Sequence, residues 1–92
     1  MIESSLHLRS AVRSPVSKKA SVLLQSLIQY HPFIDGNKRT GVALTQIYLF
    51  ESGFHWRFTQ QEIVDFAIDI AASRMALDQI ESWIGGRLQK RD

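Results

Sequence analysis

Cysteine is absent from the chain, so neither a disulfide nor a cysteine-ligated zinc can hold it together, and the composition agrees with a reducing cytoplasm. Proline is scarce, with one at position 15 and one at 32, and each marks a place where helix is interrupted. No apolar run is long enough to cross a membrane, and no signal-peptide pattern opens the sequence. Internal repeats and low-complexity segments are missing as well. Neither sign of charge dominates: the formal net charge is +2. That balance gives weak support to an anionic ligand and does not call for nucleic acid, because the cations form no evident stripe. What remains is 92 residues with 45% apolar content. These are the dimensions of one small domain, residues 1–92, with a core of marginal size.

The apolar spacing is helical throughout. Met1 to Ser14 reads as a short helix with Arg9 and Arg13 on one face, which is either a solvated surface or a face for a partner. Pro15 breaks it. Ser17 is placed to cap a second helix running to about Tyr30, with Ala20, Leu23, Leu24, Leu27 and Ile28 on one stripe. A third helix is expected from Asn37 to Ser52. It is apolar on several sides, the pattern of a helix buried at the centre of a bundle. Gly53 suits the position after its end. Phe54 to Phe58 should be extended, with His55 and Trp56 either packing over helix ends or lining a nucleotide base pocket. Thr59-Gln60-Gln61-Glu62 is a capping box. The helix it opens should bury Ile63, Phe66, Ala67 and Ile70 and leave Asp65 and Asp69 in solvent. After a break at 73–76, a last helix should bury Leu77, Ile80, Trp83 and Ile84, weakened at its end by Gly85 and Gly86. The charged tail, Arg87 to Asp92, is expected to fray. The fold class is therefore all-α, a small helical bundle around a central helix at about 37–52.

The chemistry gathers in one stretch, His31-Pro32-Phe33-Ile34-Asp35-Gly36-Asn37-Lys38-Arg39-Thr40. Helix N-termini favour Asp or Glu, yet Lys38 and Arg39 occupy the first turn here. An anion resting on the loop turns that mismatch into an attraction. Backbone N–H groups at Gly36 to Lys38, the helix dipole and two side-chain cations would converge on a phosphate. Gly36 lets the backbone approach closely, and Asn37 can cap the helix. Asp35 offers one oxygen to a Mg²⁺ already carried by phosphates. His31 is the side chain best suited to act as a general base near neutral pH. Phe33 should point inward and anchor the loop. Taken singly, each has a plain structural explanation: an Asp-Gly-Asn turn, a loop histidine, a solvated first turn. Their coincidence points to transfer of a phosphorus-centred group from a nucleotide to a hydroxyl.

HPFIDGNKRT resembles the signature of the Fic/Doc family, His-x-Phe-x-Asp/Glu-Gly/Ala-Asn-Gly/Lys-Arg, with every fixed position filled. Ser10 to Pro15, Ser21 to Tyr30, Phe50 to Phe54 and Ala72 to Ile84 are similar to the segments that flank the motif in Doc proteins. The resemblance implies His31 as general base, Phe33 as core anchor and Asp35 as Mg²⁺ ligand. It implies Gly36 and Asn37 as an anion hole and Arg39, with Lys38 beside it, on the phosphates of ATP. Lys38, with Val42 where AMP-transferring relatives carry a second Arg, is the Doc-like pattern. Doc toxins are kinases that phosphorylate elongation factor Tu in the bacterial cytoplasm and are restrained by a small antitoxin, Phd. The alternatives are AMP transfer to a protein hydroxyl, and a catalytically silent fragment that only binds an antitoxin-like partner. Relative to the family, an N-terminal helix and the hairpin flap that docks the target are expected to be missing. No Ser/Thr-x-x-x-Glu-Gly/Asn self-inhibitory motif is present. No membrane and no direct nucleic-acid partner is expected.

Overall fold

The structure is a computed structural model that describes residues 14–30 and 37–91, with Asn37 described in its backbone alone. The expected basic helix before Ser14 and the loop from His31 to Gly36 lie outside the described residues. The elements are α1 (Pro15–Gln29), α2 (Asn37–Glu51), β1 (Phe54–Trp56), α3 (Gln60–Ala71), α4 (Leu77–Gly85) and β2 (Leu88–Lys90). The protein is thus mainly helical, as its periodicity requires, with one two-stranded sheet. Among the described residues, no helix is long and apolar enough to cross a membrane.

The first helix starts three residues earlier than its composition suggests. Ser14, not Ser17, is the N-cap: its side chain accepts from the Ser17 N–H at 3.2 Å, and Pro15 takes the first helical position. A proline fits there because its missing N–H would have no helical partner anyway. Ser17 is instead buried in the first turn, donating its hydroxyl to the Ser14 carbonyl at 2.9 Å. The expected stripe is real, with Ala20, Leu24 and Ile28 buried and Leu23 and Leu27 half-buried. This stripe makes α1 the hub of the fold, packed against α2, α3 and α4. At its end the Gln29 amide donates to the Ile70 carbonyl at 2.7 Å, tying the close of α1 to the close of α3.

The helix expected at 37–52 forms at 37–51, but it is buried along one seam rather than on several sides. Gly41, Thr45 and Leu49, one turn apart, face the core. Leu44, Ile47 and Phe50 are exposed. An apolar surface all round a helix shows that several sides could be covered; the packing partners decide which are. The seam begins at Gly41, where a Cβ would lie 3.1 Å from Ile28 Cγ1 and 3.3 Å from Leu27 Cβ. Glycine lets the two helix backbones approach there. Thr45 uses its buried hydroxyl to bond the Gly41 carbonyl at 2.7 Å, the backbone-bonding role its position implied. Gly53 ends the helix with φ +101°.

The tail corrects another expectation. Instead of fraying, it forms β2, antiparallel to β1, with Phe54 opposite Lys90, His55 opposite Gln89 and Trp56 opposite Leu88. Two arginines fasten it. The Arg91 guanidinium lies 4.5 Å over the Phe50 ring, and its Nε donates at 3.0 Å to the Phe50 carbonyl, which also accepts from the Gly53 N–H at the end of α2. Arg87 lies 3.7 Å over the Trp83 ring and pairs with Glu62 at 3.6 Å. Beneath the hairpin, buried Trp56 meets Phe58, Phe66 and Trp83 edge to face, and Phe66 stacks on Trp83 with centroids 3.8 Å apart. The charge of the tail does not prevent pairing, because planar guanidinium groups stack on aromatic faces.

The capping box of α3 is complete: Thr59 Oγ1 accepts from the Glu62 N–H at 3.1 Å and Glu62 accepts from the Thr59 N–H at 2.8 Å. That backbone bond, with the Arg87 charge next, holds the Glu62 carboxyl below its ordinary range. A carboxylate so depressed adds stability above the unfolded carboxylate pKa and loses it as pH falls through the folded value. Thermal melts should therefore show a decline at acid pH that is smaller in Glu62→Gln, which keeps the capping geometry but cannot titrate. Thr59→Ala should lower stability at neutral pH by about 0.5–2 kcal/mol, read from urea midpoints. In α3, Ile63, Phe66, Ala67 and Ile70 are buried; in α4, Ile80 and Ile84 are buried while Leu77 and Trp83 are half-buried.

Candidate functional site

Of the residues that the motif singles out, Asn37, Lys38 and Arg39 fall among the described ones, and they open α2. His31, Phe33, Asp35 and Gly36 lie outside them. The framework on either side of that loop is nonetheless defined. Its entry follows the end of α1, which the Gln29 amide holds to α3. Its exit is the start of α2, which Gly41 seats against Leu27 and Ile28. Both ends of the six-residue connection between Tyr30 and Asn37 thus rest on packed helix.

The first turn of α2 carries no acidic residue, and Lys38 and Arg39 are both exposed there. Two cations at a helix N-terminus add to the partial positive charge of the dipole. They head a groove of about 410 Å³ between α2 and α3. Its walls are mainly apolar, with Val42 and Ala43 from α2, Phe58, and Ile63, Val64, Ala67 and Ile68 from α3, and they include the amides of Gln46 and Gln60. A cationic mouth and apolar walls suit a ligand that is anionic at one end and flat and apolar at the other. The motif accounts for the mouth. The α3 wall was not among the sequence candidates; its signal was the apolar pair Val64 and Ile68, which extends the buried face of α3 along one flank.

Other candidates resolve into structural roles. Asp69 pairs with Arg74 at 3.1 Å, and Asp65 accepts from Gln61 at 3.1 Å, both on the solvated face. Trp56 belongs to the aromatic core. His55 is exposed at the far end of α2, edge to face with Phe50 at 5.4 Å. Neither residue lines the groove headed by Lys38 and Arg39. Among the described residues, no group of three His, Asp or Glu side chains could hold a metal. A Mg²⁺ that travels on substrate phosphates needs no such cage, since one or two carboxylates and several waters complete its shell.

No curated protein and no solved structure gave a significant match to the chain. A family model described as the Fic/DOC family matches residues 2–49, a span that includes α1, the motif loop and most of α2.

Proposed function

The chain belongs to the Fic/DOC family, a family of nucleotide-dependent protein-modifying transferases, and from that premise we propose that it moves a phosphate from ATP to a hydroxyl of a protein target. The supporting observation is the first turn of α2, where two exposed cations and no acid stand at the mouth of an apolar groove. In this reading Gly36, Asn37, Lys38 and Arg39 bind the phosphates, and the adenine lies along the groove between α2 and α3. Asp35 gives one oxygen to the Mg²⁺ that accompanies the ATP substrate. His31 takes the proton of the acceptor hydroxyl. The oxygen attacks the γ-phosphorus, the bond to the β,γ-bridging oxygen breaks, and ADP leaves. The positive turn stabilises charge on the transferred group.

Lys38, together with Val42 in place of a second arginine, favours phosphate over AMP transfer. By family resemblance the target is elongation factor Tu, the restraining partner is a Phd-like antitoxin, and the setting is the bacterial cytoplasm. The test uses ATP labelled at either the α or the γ phosphorus, with Mg²⁺, the protein and purified elongation factor Tu. Label from γ alone should appear on the target. Label from α would replace phosphate transfer with AMP transfer, and no label from either would leave binding as the function.

A further inference from the structure

The end of α2 and the C-terminal hairpin carry a second surface, remote from the motif. Fifteen helical residues separate the two ends of α2, about 22 Å at 1.5 Å per residue. One part of this surface is a recess of about 400 Å³ on the outer side of the hairpin, where Arg57, Lys90 and Arg91 gather with His55, Gln89 and Phe50. Among the described residues, no carboxylate pairs with Arg57, Lys90 or Arg91. Arg91 is already oriented by its stack on Phe50 and by one bond from Nε, which leaves its terminal nitrogens to donate outward.

The other part is an apolar groove of about 330 Å³ that runs between the last turns of α2 and strand β1. Ile47, 55% exposed, and Phe50, 46% exposed, form it together with Phe54. Phe50 and His55 line both recesses, so the cationic and apolar parts are continuous. Trp56, in the wall of this groove, keeps a buried indole N–H without a hydrogen-bond partner. The sheet also has a free edge here. The Arg91 N–H donates to the Gly53 carbonyl and the Arg57 N–H to the Arg87 carbonyl. In an antiparallel ladder that phase turns the N–H and C=O groups of Phe54 and Trp56 away from β2.

We propose that this surface docks an extended segment of a partner protein in which acidic side chains alternate with large apolar ones. Cations that pair with no carboxylate among the described residues call for acidic side chains. Ile47, Phe50 and Phe54 call for aliphatic or aromatic side chains. A strand edge that pairs with no other described strand calls for the backbone donors and acceptors of an extended segment. A nucleic-acid strand fits less well, because a continuous run of phosphates gains nothing from the exposed apolar side chains of Ile47 and Phe50. The surface does not depend on the transfer reaction, and its test contains no nucleotide.

The full chain, labelled with ¹⁵N, would be titrated at physiological ionic strength with three probes. These are a short peptide alternating Glu with Leu and Phe, a matched peptide of Glu and Ser, and a short single-stranded oligonucleotide. The Glu/Leu/Phe peptide should bind tightest and shift amide signals at 46–57 and 88–91. Its affinity should fall about tenfold in the double variant Arg57→Glu/Lys90→Glu and about tenfold in Ile47→Ser. All three side chains are exposed, so thermal midpoints should hold and loss of binding would not reflect unfolding. Equal or tighter binding of the oligonucleotide or the Glu/Ser peptide would overturn the proposal in favour of a plain polyanion surface. Absence of shifts at these amides with the Glu/Leu/Phe peptide would overturn it outright.

Discussion

Replacing His31 with alanine should lower transfer of label from ATP to the target by about 10²–10⁴-fold, the range that a positioned general base supplies. An aliphatic or threonyl hydroxyl is a poor nucleophile until its proton is removed during attack. Of the side chains in the motif, the imidazole of His31 is the one whose type is best suited to take that proton. The carboxylate of Asp35 is better spent on the cation that accompanies ATP, and the side chains of Lys38 and Arg39 are suited to stabilising negative charge. The loss should appear in the rate at saturating ATP rather than in nucleotide affinity. The pH profile separates this role from a structural one: the parent rate should rise with pH as the imidazole gives up its proton, and the residual rate of His31→Ala should not. Arg39→Ala should behave differently, weakening both nucleotide binding and rate, because it removes charge from the mouth of the groove and leaves the base in place. A variant with an unchanged rate would remove His31 from the chemistry.

The second large effect is on stability. Leu24→Ala should cost about 2–5 kcal/mol in urea denaturation. Leu24 is fully buried at the middle of α1, the helix that packs against each of the other described helices. Its Cδ1 lies within 3.5 Å of where a Gly41 side chain would begin, so the leucine fills the space that the glycine opens. Truncation removes apolar contact and leaves a cavity between two helices that neither can close without sliding. A domain of 92 residues has a total stability of about 5–14 kcal/mol at ordinary per-residue values, so this one change removes a large share. The neighbouring Leu23→Ala, at a half-buried position, should cost clearly less. Equal losses would mean that α1 is not held by the stripe through Ala20, Leu24 and Ile28.

The helices were readable wherever local signals agreed. In α3 the Thr59–Glu62 capping box and the spacing of Ile63, Phe66, Ala67 and Ile70 state the start and the buried face together. At α1 the expected cap, Ser17, gives way to Ser14, because the fixed φ of Pro15 suits the first helical position. The burial of α2 was not readable, because a helix apolar on several sides does not say which side its neighbours will take. The hairpin was not readable for a related reason. Strand β2 is short and charged, and its partner strand is more than thirty residues away in the chain, so nothing local announces the pairing. The site divides along the same line. Lys38 and Arg39 stand in the first turn of α2, as the loop chemistry anticipated, whereas the wall supplied by Val64 and Ile68 depends on how α3 packs. His31, Phe33, Asp35 and Gly36 keep their assigned roles as proposals.

The placement of the two tryptophans gives the protein an internal optical probe with a defined field of view. Trp56 and Trp83 both sit in the aromatic cluster beneath the hairpin, Trp83 with the Arg87 guanidinium against its ring, and neither lines the groove headed by Lys38 and Arg39. Intrinsic emission should therefore change most when the hairpin detaches or its outer groove is filled, and less when ATP occupies the other groove, which reaches Trp56 through Phe58. One unlabelled sample can then report the two ends of the molecule separately, with tryptophan light for the hairpin and transferred phosphorus for the motif.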